Sequence, residues 1–175
     1  MGYTIAICDD DKTMADKLTV SLKNEFTKAG RNDVIIDYYD TGVQLLEALK
    51  NKMYKAVLLD INMEPMDGFS VAEAIGKSGY RTKIIFVTSH EDVVYDTFDY
   101  TPFYFIRKSR YETYVQRVVK KLIAIDGYEK TIVLDDKDGI ININSGDITY
   151  VHSEDHYLTC LLYTSPSPRD LSTSR

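Results

Sequence analysis

Residues Ala56 to Gly68 read AVLLDINMEPMDG, a short apolar run that delivers one carboxylate, Asp60, into a turn-rich loop. The run does not alternate, and it gives way to Pro65 and Asp67-Gly68, the pattern of a strand buried on both faces of a parallel sheet. The carboxyl end of such a strand faces the crevice where open α/β sheets bind ligands. An isolated Asp at a strand end could equally cap the following turn. The weight therefore falls on the other acidic residues of the chain.

Upstream, Tyr3 to Cys8 (YTIAIC) is a first apolar strand that runs directly into Asp9, Asp10 and Asp11. Like charges clustered at a strand end are unfavourable unless a cation, solvent or a helix N-terminus relieves them. Met14, Leu18, Leu22 and Phe26 then recur every four residues, the stripe of an amphipathic helix ending near Gly30. Val34 to Tyr39 is a second strand, and Thr41-Gly42 opens a helix expected to place Val43, Leu45, Leu46 and Leu49 on its apolar side. After the Asp60 loop, Phe69 to Ile75 is helical with Val71, Ala72 and Ile75 facing inward, stopping at Gly76 to Gly79. Lys83 to Val87 is a fourth strand ending at Thr88, and Glu91 to Tyr100 is a weaker helical stretch. Phe103 to Ile106 is a fifth strand from which Arg107 and Lys108 depart. Tyr114, Val115, Val118, Val119, Leu122 and Ile123 stripe a last helix that runs out at Asp126-Gly127.

Five strands alternating with helices imply right-handed βαβ units, hence a doubly wound parallel α/β sheet covered on both faces. The carboxyl edges of strands one, three, four and five then gather Asp9, Asp10, Asp60, Thr88 and Lys108 on one rim. The formal charge of −6 and pI near 5.1 argue against broad nonspecific nucleic-acid binding by the chain as a whole. No apolar run is long enough to span a bilayer and the N-terminus enters a strand at once, so a cytoplasmic protein without membrane partners is expected. Cys8 and Cys160 are the only cysteines, which suggests neither a disulfide framework nor a thiolate metal site.

Asp9, Asp10 and Asp60 can hold a small hard dication such as Mg2+, which takes oxygen ligands. With that charge offset, Asp60 can attack a phosphoryl donor in line and form an acyl phosphate. Lys108 would meet phosphoryl oxygens with positive charge and Thr88 with a hydroxyl donor. Taken singly, Thr88 reads as a strand-end cap and Lys108 as a solvated lysine; the ordered set is far more specific.

CDDDKTM after strand one, LLDINMEPMDG around strand three, FVTS at strand four and FIRKS at strand five resemble the response-regulator receiver domain of two-component signalling. The resemblance covers roughly residues 3 to 125. It implies Asp60 as phosphoacceptor, Asp9 and Asp10 as the acidic metal pair and Asn62 as a backbone-carbonyl ligand to the metal. Thr88 becomes the switch hydroxyl, Lys108 the phosphate-binding lysine and Phe105 the aromatic switch residue, with Asp11 a spare acid at the start of the loop. It also implies a sensor histidine kinase as phosphoryl source and a phosphorylation-dependent homodimer formed through the fourth helix, fifth strand and fifth helix. Two positions depart from the family pattern. Ser109 replaces the usual Pro after the lysine, and Phe105 replaces a Tyr, keeping a ring but losing a hydroxyl.

From Thr131 the texture changes to short β-rich pieces separated by Asp-Lys-Asp-Gly and Asn-Ser-Gly turns, the start of a second, all-β domain. ITYVHSEDHYLTC resembles the beginning of a LytTR DNA-binding domain, which implies promoter DNA as a partner of the full-length protein and His156 as a DNA contact. The expected organisation is a receiver over 1–125, a linker over 126–130 and an output-domain fragment over 131–159. Residues 160–175 form a foreign tail: CLLYTSPSPRD resembles translated sequencing adapter, the bases TGT CTC TTA TAC ACA TCT encoding its first six residues. A solvated Ser/Pro linker is the plainer reading of the last eleven residues, SPSPRDLSTSR. As a whole the chain reads as a phosphoacceptor signalling protein rather than an enzyme with turnover. A phosphohydrolase with an aspartyl-phosphate intermediate is the alternative, and it would want a second Asp where Asn62 stands, because an amide cannot shuttle a proton.

Overall fold

The computed structural model describes residues 3–89, 102–128, 131–136, 139–144, 148–154 and 157–162. Its first unit is a sheet of five parallel strands in the order β2-β1-β3-β4-β5, with β1 at Tyr3–Cys8, β2 at Val34–Tyr39, β3 at Ala56–Asp60, β4 at Lys83–Thr88 and β5 at Tyr104–Arg107. Helices α1 (Lys12–Lys28), α2 (Gly42–Leu49), α3 (Gly68–Lys77) and α4 (Tyr111–Tyr128) come between and after the strands. The strand order places β1 beside both β2 and β3, so the chain reverses direction across the sheet at β1, the point where open α/β sheets leave a crevice. The stretch expected at Glu91 to Tyr100 lies outside the described residues.

Side-chain alternation explains the two-faced core. Every residue of β3 is buried. Ala6, Cys8, Val57, Leu59 and Phe86 turn to one face, where Leu45 and Leu49 of α2 and Val71, Ala72 and Ile75 of α3 complete a cluster. On that face the Phe69 and Phe86 rings lie 5.5 Å apart. The alternate residues, Ile5, Ile7, Leu58, Ile85 and Ile106, are equally buried and serve the opposite face. There Tyr3 meets Phe26 of α1 at 5.2 Å and Tyr104 meets Tyr114 of α4 at 6.4 Å.

The first three helices each begin at a side-chain cap. Asp11 accepts from Thr13 and Met14 N–H for α1, Thr41 from Gln44 N–H for α2, and Asp67 from Ser70 N–H for α3. Val43 departs from expectation: it is 52 % exposed, while Gly42, Leu45 and Leu49 are buried. Successive helical residues are about 100° apart, so with Leu45 and Leu49 facing inward the inner face at the start of α2 falls on Gly42. A Cβ at Gly42 would lie 2.3 Å from Val71 Cγ2, so the missing side chain lets α2 and α3 approach.

The chain divides into two compact units, Met1–Lys120 and Lys121–Arg175. Helix α4 runs to Tyr128, so most of the expected linker over 126–130 is helical. Beyond it, β6 (Thr131–Asp136) pairs antiparallel with β7 (Gly139–Asn144), and β8 (Ile148–Glu154) with β9 (Tyr157–Leu162). Strand β9 continues three residues past Thr159, and His156 and the residues after 162 lie outside the described set. Among the described residues no helix is long and apolar enough to cross a membrane.

Candidate acidic site at the carboxyl edge of the sheet

Strand register brings the two buried aspartates together. Ile7 pairs with Leu58, and two residues further on, on the same face, come Asp9 and Asp60. Asp9 is 1 % and Asp60 4 % exposed, while Asp10, one residue along, is exposed. One carboxylate oxygen from each of Asp9, Asp10 and Asp60 lies within 4.8 Å of the others. Thr88 is buried at the end of β4, and Lys108 follows β5 in a single 3-10 turn, Lys108–Arg110, that contains Ser109 and leads into α4.

Lys108 bridges the two buried carboxylates. Its Nζ lies 2.9 Å from Asp9 Oδ2 and 3.0 Å from Asp60 Oδ2, and it donates a hydrogen bond to Asp9 Oδ1 at 3.1 Å. Backbone N–H groups orient the same carboxylates: Asp11 N–H donates to Asp9 Oδ1 and Ile61 N–H to Asp60 Oδ1, each at 2.9 Å. Asp9 Oδ2 is buried without a hydrogen-bond donor, because its approach to Nζ is close but poorly directed. With all groups ionised, three carboxylates at −3 and one ammonium at +1 leave a net charge of −2 in the cluster. An under-satisfied buried oxygen and an excess of two negative charges, all on hard oxygen donors, fit a small dication.

Burial raises the Asp60 pKa from 3.8 to about 6; Lys108 pulls it down and Asp9 pushes it up. Burial also raises Asp9, with the Lys108 hydrogen bond and charge opposing. Lys108 loses hydration on burial, yet the two carboxylates hold its pKa above the ordinary value. Beneath the site Cys8 is pushed up to about 12 by burial and then by the surrounding aspartates, so it remains a thiol in the core.

Of the other residues expected here, Asn62 is exposed in the loop after β3. Phe105 is half-buried and packs against the core cluster on the α2 and α3 face. Asp11 is not a spare acid, since its carboxylate caps α1. Sequence reasoning missed Gly68, whose N–H donates to the Ile61 carbonyl at 2.9 Å to close the loop after Asp60. A Cβ there would lie 2.2 Å from the Asp60 carbonyl oxygen, so glycine is required beside the candidate acceptor. The Asp67-Gly68 pair announced a turn but not this approach.

Residues 5–120 match the response regulator receiver domain family, and the chain belongs to it. Residues 5–120 are thus the receiver domain of a two-component response regulator. The chain is similar to transcriptional regulatory protein YpdB of Escherichia coli K12, at 28 % identity over 90 residues, covering 51 % of this chain and 37 % of that protein. It is also similar to protein MrkE of Klebsiella pneumoniae, at 27 % identity over 88 residues, covering 50 % and 33 % respectively. The chain thus matches about a third of the length of these curated relatives. Among solved structures, the response regulatory domain of Klebsiella pneumoniae MrkE superposes with a TM-score of 0.62 at 22 % identity, covering 70 % of this chain and 96 % of that one. Thermotoga maritima TrrA, solved in complex with Mg2+-BeF, superposes with a TM-score of 0.56 at 28 % identity, covering 70 % and 99 %.

Proposed function

We propose that this chain accepts a phosphoryl group on Asp60, with Mg2+ as cofactor and a sensor histidine kinase as physiological donor, and acts as a cytoplasmic signalling protein. The observation that carries the reading is the convergence of Asp9, Asp10 and Asp60 around Lys108 on the sheet edge. The Mg2+-BeF complex of TrrA, a 28 % identical receiver, lends support. Asp9, Asp10 and Asp60 would hold the cation, with Asn62 offering its backbone carbonyl. When bound, Mg2+ would offset the negative charge shared by acceptor and donor. A carboxylate oxygen of Asp60 attacks phosphorus in line. The bond from phosphorus to the leaving group breaks, its electron pair departs with that group, and Asp60 becomes an acyl phosphate. The Ile61 N–H fixes the rotation of the attacking carboxylate. Lys108 then shifts its ion pair to the phosphoryl oxygens, the Thr88 hydroxyl donates a hydrogen bond to one of them, and Phe105 responds as the neighbouring ring of the switch.

We further propose that the second unit is the start of a LytTR-type DNA-binding output domain over residues 131–159, that the full-length protein binds promoter DNA with His156 among its contacts, and that it dimerises on phosphorylation. Two antiparallel strand pairs and the name of the YpdB relative support a transcriptional output. Residues 160–175 are proposed as translated adapter sequence.

Intact-mass measurement after incubation with Mg2+ and a small acyl phosphate tests the acceptor. One added phosphoryl group is expected on the wild type and none on Asp60→Asn. Persistence of the added mass in Asp60→Asn would overturn the assignment.

A further inference from the structure

Tyr38, on β2, stands outside the motifs that announced the acidic site, yet it holds the segment that carries Asp9 and Asp10. Its hydroxyl donates to the Asp9 carbonyl oxygen at 3.1 Å, and the Asp9 N–H donates to the Tyr39 carbonyl at 3.1 Å. Both backbone polar groups of Asp9 are therefore bound by consecutive residues of the edge strand. The Asp9 carbonyl belongs to the rigid peptide plane that joins Asp9 to Asp10, so a group that fixes this plane also fixes the Asp10 Cα from which its side chain leaves the backbone.

Asp10 depends on that tie more than its neighbours do. Asp9 and Asp60 are each held by a backbone N–H and by Lys108. Asp10 is exposed, and no comparable tie holds its carboxylate among the described residues. The Tyr38 ring is itself covered, with Lys12 Nζ 4.9 Å from its centroid and Lys12 paired to Asp16 one turn along α1. Hydroxyl, ring and cation thus form a short brace from the edge strand to the first turn of α1, across the loop that bears the two acids.

We propose that Tyr38 is a positioning residue of this site, its hydroxyl setting the peptide plane from which Asp10 reaches a bound Mg2+. The inference rests on reading the site as a Mg2+-dependent phosphoacceptor. A contact one step removed from the metal governs affinity for the cation more than the transfer itself. Tyr38→Phe keeps the ring and its packing and removes only the hydroxyl.

The test is calorimetric titration of Mg2+ into the full chain, wild type and Tyr38→Phe, paired with phosphorylation rates from an acyl phosphate at low and saturating Mg2+. The Mg2+ dissociation constant should rise about tenfold in Tyr38→Phe, the low end of the effect of outer contacts on metal ligands. The rate should return to the wild-type value at saturating Mg2+. An unchanged dissociation constant overturns the inference while leaving the site reading intact. A rate loss that saturating Mg2+ fails to repair also overturns it, because the hydroxyl then acts through the fold or the transfer step. Failure of the wild type itself to bind Mg2+ overturns the site reading and the inference together.

Discussion

Burial of Asp9 and Asp60 disfavours their charged forms, and Lys108 offsets only part of that cost. The rise of Asp60 from 3.8 to about 6 corresponds to at most about 3 kcal/mol against the ionised carboxylate. Between those values folded Asp60 binds more protons than unfolded Asp60, so the contribution of this carboxyl to stability is highest below 3.8 and falls as pH rises through about 6. Asp9 is displaced in the same direction and adds to the trend. With a chelator present, Asp60→Asn should therefore be more stable than wild type by about 2 kcal/mol above about pH 7, and the gain should vanish near pH 3.5. Urea unfolding across pH measures this directly. A destabilised Asp60→Asn at neutral pH would mean that favourable contacts outweigh burial at this carboxylate. The same imbalance makes a dication attractive here, since it brings charge that Lys108 alone lacks.

At the scale of elements, the three consecutive aspartates after β1 separate by what each carboxylate touches. Asp9 faces Lys108 and Asp11 caps α1, leaving Asp10 exposed at the rim. Asp11→Ala should cost about 1 kcal/mol of stability through the lost cap and leave Mg2+ affinity nearly unchanged. Asp10→Ala should do the reverse, and chemical denaturation paired with Mg2+ titration tells the two apart. In the loop after β3, Gly68→Ala forces a methyl group against the Asp60 carbonyl and should cost about 3 kcal/mol. Because the obstructing atoms are backbone, the loop itself must shift, and phosphorylation of Asp60 should fall with stability. A Gly68→Ala variant with wild-type stability and phosphorylation would show that the loop relaxes freely. The strands were legible in sequence because uninterrupted apolar runs have few other homes. Among the described residues the helix stripes were legible too, apart from Val43, where apolar character pointed inward and helix phase pointed outward. Phase prevailed because Leu45 and Leu49 bury more surface together than Val43 would alone.

For the molecule as a whole, the two units differ in how their strands are supported. The parallel sheet is covered on both faces by helices, with Ile5, Ile7, Leu58, Leu59 and Phe86 fully buried. Among the described residues the second unit shows two-stranded pairs; on β8 both Tyr150 and Val151 are about half exposed although they point to opposite sides, while Ile143 of β7 is buried. Isolated strand pairs are marginal in water. Amide hydrogen exchange should therefore be slowest in β1 and β3 and at least about 100-fold faster in β6 to β9. Equal protection in both units would require the second one to possess a core of its own.

What the sequence determined by itself was local: apolar runs, helix stripes, turn pairs and the order of acidic, hydroxyl and basic residues at strand ends. From these the alternating α/β plan and the membership of Asp9, Asp10, Asp60, Thr88 and Lys108 in one rim follow, because right-handed crossovers leave few other arrangements. Only the tertiary structure decided which carboxylate does what. Register set Asp9 beside Asp60, Lys108 crossed from β5 to bridge them, Asp11 turned to its helix, and Tyr38 reached the Asp9 carbonyl from the edge strand. Those contacts join residues as many as 99 positions apart. A one-dimensional pattern carries the kinds of groups a site contains, whereas pairing between distant strands sets their distances and charges.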